Sequence, residues 1–203
     1  MLDKLKQRLV DCSDLESVLA CALSGGLELS GASRGNIQLM DWNTGYLTIM
    51  AQCGFDDDFL RFFHRVSARD GSACGRAIRE RRPIVVDDVL EDPEFAPFRA
   101  IALKAGFRAV QSTPLISSSG AFLGVLSTHF AEARRCNGDD LQILRGAAGL
   151  AANAIIHQRA RQRDIHHYHW NEAETVAGSI RKTHMTVLSS YARLRRARRK
   201  LEF

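Results

Sequence analysis

Nowhere does the chain carry the ~18 uncharged apolar residues that crossing a bilayer requires. Its N-terminus, MLDKLKQRLVDCSDLESVLA, has acids and bases every few residues where a signal peptide would have an apolar core. No membrane contact is therefore expected, and a cytoplasmic location is. The five cysteines (Cys12, Cys21, Cys53, Cys74, Cys136) are widely spread, odd in number and form no C-x-x-C pair. That pattern speaks against a disulfide framework and against a zinc cage, so no metal site is expected. The sequence also has no Walker loop, no H-E-x-x-H, no G-x-S-x-G and no kinase nucleotide-binding segment. The common phosphate-binding and hydrolytic machineries are thereby set aside.

What is present suits one domain plus an appendage: 203 residues, 45% apolar and 25% charged. The net charge of +5 is uneven. Residues 1–157 carry −2 and residues 158–203 carry +7. The basic character belongs to the tail, so it is no nucleic-acid signal for the domain itself.

Apolar residues at helical spacing run through residues 3–29, with Ser13 or Asp14 as the cap of a second segment and Gly25-Gly26 weakening its end. The period then changes to two. Gly35 to Met40 alternates, with Ile37 and Leu39 on one face and Asn36 and Gln38 on the other. DWNTG is turn chemistry, and Tyr46 to Gln52 returns as the second arm of a hairpin. Residues 56–66 predict a helix with three aspartates at its positive end and Phe59, Phe62, Phe63 and Val66 as its buried stripe. A short helix through Cys74 to Ile78, a strand from Pro83, a helix from Phe98 to Ala105, strands at 110–116 and 122–130, and a long helix from Asp139 to Arg163 complete the order. Hairpins mixed with helices predict an α+β domain with a mainly antiparallel sheet.

Five stretches, in this order and spacing, carry a family resemblance: Arg34-GNIQLMD; GYLTIMAQCGFDDDFLRFF; DGSACGRAI followed by PIVVDDV; DPEFAPFRAIALKAGFRAVQSTPLIS; and GAFLGVLSTHF. Together they resemble a GAF domain of bacterial signalling proteins over about residues 10–158. The resemblance implies a GAF-like, profilin/PAS-related fold. That fold has a twisted antiparallel sheet of five or six strands, with the terminal helices on one face and shorter helices and loops on the other. Within the family that second face holds cyclic nucleotides, haem, bilins or organic effectors. The expected division is residues 1–163 for the domain and 164–203 for a basic helical tail.

The candidate pocket residues are Asn36, Gln38, Ser72, Cys74, Gln111, Thr113 and His129. Asn36, Gln38, Gln111 and Thr113 are polar groups at alternating strand positions. They form a pocket floor if helices roof them and a solvated face if not. Cys74 lies where a helix should begin, which favours a reactive thiolate; the plainer alternative is a small residue packed under a loop. The aspartate-containing pigment motif of phytochromes is missing. His129 can face the pocket as a haem ligand or sit in its strand as an ordinary half-exposed residue. His64 is expected at the surface. The acids Asp87-Asp88 and Glu91-Asp92 are expected to be turn-forming and solvated, because neighbours on a strand point apart. The cofactor is left unknown.

In the tail, His166, His167 and His169 precede Trp170 without the acid that follows a kinase phosphoacceptor histidine. Ile180, Thr183, Val187, Tyr191 and Leu194 make a helical stripe, and RLRRARRK ends the chain in a basic run. The leading expectation is a non-enzymatic sensory module. It binds a small effector and signals through its terminal helices in a homodimer, with a possible signalling partner on the basic tail. The alternatives are a redox enzyme like free methionine sulfoxide reductase, using Cys74 and a second cysteine, and a ligand-free dimerisation and docking module.

Overall fold

The computed structural model describes residues 1–164. The expectations for the tail histidines, the apolar stripe and the basic run fall outside the described residues. Met1–Gln158 form one compact unit; a second begins at Arg159, and its described residues, 159–164, are helical.

The chain opens with α1 (Leu2–Val10) and α2 (Leu15–Ser30). Asp14 caps α2: its side chain accepts from the Ser17 amide, and Ser17 reaches back to the Asp14 amide. Such a cap contributes on the order of 1 kcal/mol. Gly25 and Gly26 do not end the helix, which runs on to Ser30. They serve close approach instead. A Cβ at Gly25 would lie 2.5 Å from Leu5 of α1, and one at Gly26 would lie 3.0 Å from Leu126 in the sheet.

Strands β1 (Arg34–Asp41) and β2 (Tyr46–Cys53) form the expected hairpin. Helix α3 is shorter than expected, Asp57–Phe62. Val66 has left the helix to bridge Leu47, so the stripe breaks: Phe59, Phe63 and Val66 are buried, whereas Phe62 is exposed. Then come α4 (Ala73–Glu80), β3 (Ile84–Val86), a 3₁₀ turn at Ala96–Phe98, α5 (Arg99–Lys104), β4 (Ala109–Ile116) and β5 (Phe122–Phe130). Residues 138–158 are helical, here α6.

The sheet has five strands in the order β2-β1-β5-β4-β3, all antiparallel. Strand β5 lies at its centre and every one of its nine residues is buried. Both faces are covered. One carries α1, α2 and α6 over a core of Leu19, Leu23, Ile37, Leu126, Leu144 and Ile155. The other is roofed by α3, α4, α5 and their loops over Phe59, Phe63, Ala77, Phe107, Val110 and Val125. Among the described residues no helix is long and apolar enough to cross a membrane.

The acids between β3 and α5 are not simply solvated. Asp88 pairs with Arg108, and Asp92 pairs with the buried Arg76 at 2.8 Å while accepting from the Phe95 amide. These bonds tie the roof loop to α4 and to the strand beneath it.

Candidate functional site

Register decides which polar residues meet. Asn36 of β1 stands opposite Ser127 of β5, and Ser127 stands opposite Ser112 of β4. A polar row therefore crosses three strands on the roofed face. Two residues along β1 lies Gln38, and two residues along β5 lies His129, on the same face. Gln111 pairs with Thr128 instead. Residues 127 and 128 point to opposite faces, so Gln111 and Thr113 belong to the α6 side of the sheet. There Gln111 donates to Thr113 and accepts from the Cys136 thiol. The floor expected from four alternating residues is thus split in two. Asn36 and Gln38 are under the roof, and Gln111 and Thr113 are on the other side.

The roofed cluster is deeply buried. Asn36, Gln38, Ser112, Ser127 and His129 are each at most 4% exposed. Asn36 Oδ1, Gln38 Oε1 and His129 Nδ1 have no protein hydrogen-bond partner, and Gln38 Nε2 reaches only the Phe63 carbonyl, at 3.5 Å. A buried polar atom left without a partner costs ~1–3 kcal/mol. Three such atoms, Asn36 Oδ1, Gln38 Oε1 and His129 Nδ1, lie on one sheet face.

Cys74 sits above the serines. Its sulfur is 3.2 Å from Ser127 Oγ and 3.5 Å from Ser112 Oγ, and the two hydroxyls are 2.8 Å apart. Burial pushes the thiol up, outweighing the serine hydrogen bonds that pull it down. The helix start therefore does not make a reactive thiolate, and Arg76 is engaged with Asp92. Ser72 is spent as the cap of α4, accepting from the Gly75 amide at 3.2 Å. His64 is exposed, as expected.

The walls are phenylalanine. Phe55, Phe59 and Phe107 surround the His129 ring, with centroids 4.9, 5.9 and 4.6 Å away. Phe63, Phe95 and Phe98 extend the cluster. Burial holds His129 neutral and lowers its pKa to about 3, with a smaller push from the Arg34 charge. A porphyrin cannot reach the imidazole nitrogens without expelling these rings, so His129 as packed does not fit a haem ligand. Among the described residues no group of three His, Cys, Asp or Glu side chains is placed to hold a metal ion. The arrangement offers hydrogen bonds in an aromatic enclosure. It offers neither a poised base nor an activated nucleophile.

The two serines were missing from the sequence reading. Counting outward from the turn at Ser117–Gly120 would set Ser112 against Leu126; a register shift between Leu115 and Ile116 brings Ser112 opposite Ser127 instead, and no local pattern announces it.

The family model described as "GAF domain" matches residues 12–156. The chain belongs to the GAF domain family. It is 24% identical over 159 residues to a methyl sulfide methyltransferase-associated sensor of Methanosarcina acetivorans; the match takes in 78% of this chain. It spans only 16% of that relative's length. Among solved structures it resembles the GAF domain of a phosphoenolpyruvate-protein phosphotransferase from Coxiella burnetii. That match has a TM-score of 0.65 and 20% identity, over 80% of this chain and 94% of the other. It also resembles the free methionine-R-sulfoxide reductase of Neisseria meningitidis solved with its substrate. Here the TM-score is 0.64 and the identity 21%, over 79% of this chain and 89% of the other. At these identities the structural likeness establishes the shared α+β GAF fold.

Proposed function

We propose that this GAF domain binds a small, flat, mainly apolar effector under its roof, and that the effector bonds to Asn36, Gln38 and His129. The observation that carries the reading is the set of three unpartnered buried polar atoms on one sheet face, walled by phenylalanine. Aromatic walls with a few convergent polar groups are what small-molecule pockets are made of. His129 is neutral at physiological pH, so its free Nδ1 serves an effector as a hydrogen-bonding group and not as a charge. Binding reaches the rest of a signalling protein through α1, α2 and the last helix, in a homodimer formed by those helices.

The test is a thermal-shift screen of nucleotides, haem, and aromatic and organic effectors, followed by calorimetry on any hit. Gln38→Met and Asn36→Leu should each weaken a true effector at least ~10-fold, the worth of one buried hydrogen bond. A screen without a single saturable ligand overturns effector binding and leaves a docking module. Light scattering that returns a strict monomer overturns the dimer.

The reductase reading rests on the likeness to the Neisseria enzyme. It requires a second cysteine at Cys74, whose sulfur instead contacts two serines. Cys53 is exposed at the end of β2. A Cys74→Ser protein that keeps its effector affinity supports sensing, and one that loses a measured reductase activity supports the enzyme.

A further inference from the structure

A cleft lies at the β3 edge of the sheet, where β3 stops short. Strand β3 pairs with β4 only as far as Ser112, so the stretch from Thr113 to Ile116 has no strand neighbour on that side. The cleft over this open edge measures about 400 Å³. Pro114 and Ile116 of β4 line it, together with Arg81 and Arg82 after α4 and Arg145 of α6. A proline suits an uncovered edge because it has no amide hydrogen to leave unpaired.

Three arginines line this cleft and no carboxylate-bearing residue does. Arg82 pairs with Glu80. Among the described residues, Arg81 and Arg145 have no ion-pair partner. Arg81 is unusual in its backbone as well. It closes α4 at φ 53 and ψ 29, and it is the one non-glycine with positive φ among the described residues. Glycine ordinarily takes that position, since a Cβ is strained there. The Arg81 guanidinium carbon lies over the Phe122 ring, 4.4 Å from the centroid. A guanidinium that stacks on an aromatic face keeps its edge N–H groups available, and that edge is the part of arginine that grips oxyanions two bonds at a time. Like charges brought together without a counter-charge repel, and a bound anion relieves the repulsion. The volume lies within the range of small-ligand pockets.

We propose that this cleft binds a small, multiply charged oxyanion bearing phosphate or carboxylate groups, held between Arg81 and Arg145. The site is separate from the roofed cluster: Pro114 lines the cleft at the sheet edge, whereas Asn36, Gln38 and His129 lie on β1 and β5. An effector-free roofed pocket would leave the proposal standing.

The experiment is calorimetric titration of the full chain at low ionic strength, with inorganic pyrophosphate in one arm and citrate in the other. Saturable binding of pyrophosphate alone assigns a phosphate ligand, and of citrate alone a carboxylate ligand. Arg81→Gly and Arg145→Ala should each weaken binding at least ~10-fold, and the double variant should abolish it. Arg81→Gly is the informative variant because glycine fits the positive φ, so its melting temperature should not fall. Gln38→Met should leave pyrophosphate or citrate affinity unchanged. Absence of saturable binding in both arms, or binding that survives the double substitution, overturns the proposal.

Discussion

Replacing Gln38 by methionine should make the effector-free protein more stable. Gln38 is 1% exposed, its Oε1 has no partner, and its Nε2 bonds the Phe63 carbonyl only at 3.5 Å. The lone acceptor costs ~1–3 kcal/mol, and so long a bond returns at most about 0.5 kcal/mol. Methionine keeps the length and the unbranched shape of glutamine while removing both polar atoms. The expected net gain is about 1 kcal/mol, a rise of roughly 2–4 °C in Tm for a domain of this size. Urea denaturation followed by circular dichroism, at one pH and without added ligand, measures it directly. The same variant should lose its response to the effector. That is the exchange of stability for function seen where a site carries unsatisfied groups. A Gln38→Met protein that melts several degrees lower than the wild type would refute the reasoning, because the amide would then be stabilising the resting fold.

His129 gives a pH signature. Folded, its pKa is lowered to about 3 from 6.5, so between those values the unfolded chain takes a proton that the folded chain refuses. Stability should fall by about 1.4 kcal/mol per pH unit as pH drops below 6.5. His129→Leu should flatten that limb between roughly pH 6 and 4.5, above the range where surface carboxylates titrate; identical limbs would contradict it. Asp92→Ala strands the buried Arg76, whose remaining acid is Glu94 at 3.6 Å, and should cost about 3 kcal/mol in a denaturant titration. A loss below about 1 kcal/mol would show the pair to be unimportant. Thiol reagents should label exposed Cys53 at once, and buried Cys74 only as fast as the protein unfolds. Rapid native labelling of Cys74 by mass spectrometry would contradict its raised pKa.

The order of elements was legible because each start and stop has local chemistry. Asp14 caps α2, Gly45 and Gly120 stand in turns at positive φ, and alternation marks β1. The site was legible only in part. Asn36, Gln38, Cys74 and His129 come together under the roof, since alternation within a strand fixes relative facing. Which face of β4 matches which face of β1 depends on the pairing of both strands with β5. Propensity does not encode that pairing, and it sends Gln111 and Thr113 to the far side. Phe62 was misplaced because a helical stripe assumes a helix as long as the pattern, and α3 ends when Val66 is drawn into its bridge with Leu47. The ion pairs of Asp88 and Asp92 join residues 16–20 positions apart, beyond the reach of any local pattern.

Strand β5 divides the interior into two rooms and is itself the dividing wall. Val125, Ser127 and His129 furnish one room, and Leu126 and Thr128 furnish the other. A peptide chain cannot move one residue without carrying its neighbours, so a shift of Ser127 toward a guest is also a shift of Leu126 against Gly26 of α2. If an effector binds as proposed, its occupancy would be felt on the other side at the range of a single bond. Helix α2 rests on the same strand that the proposed guest would touch.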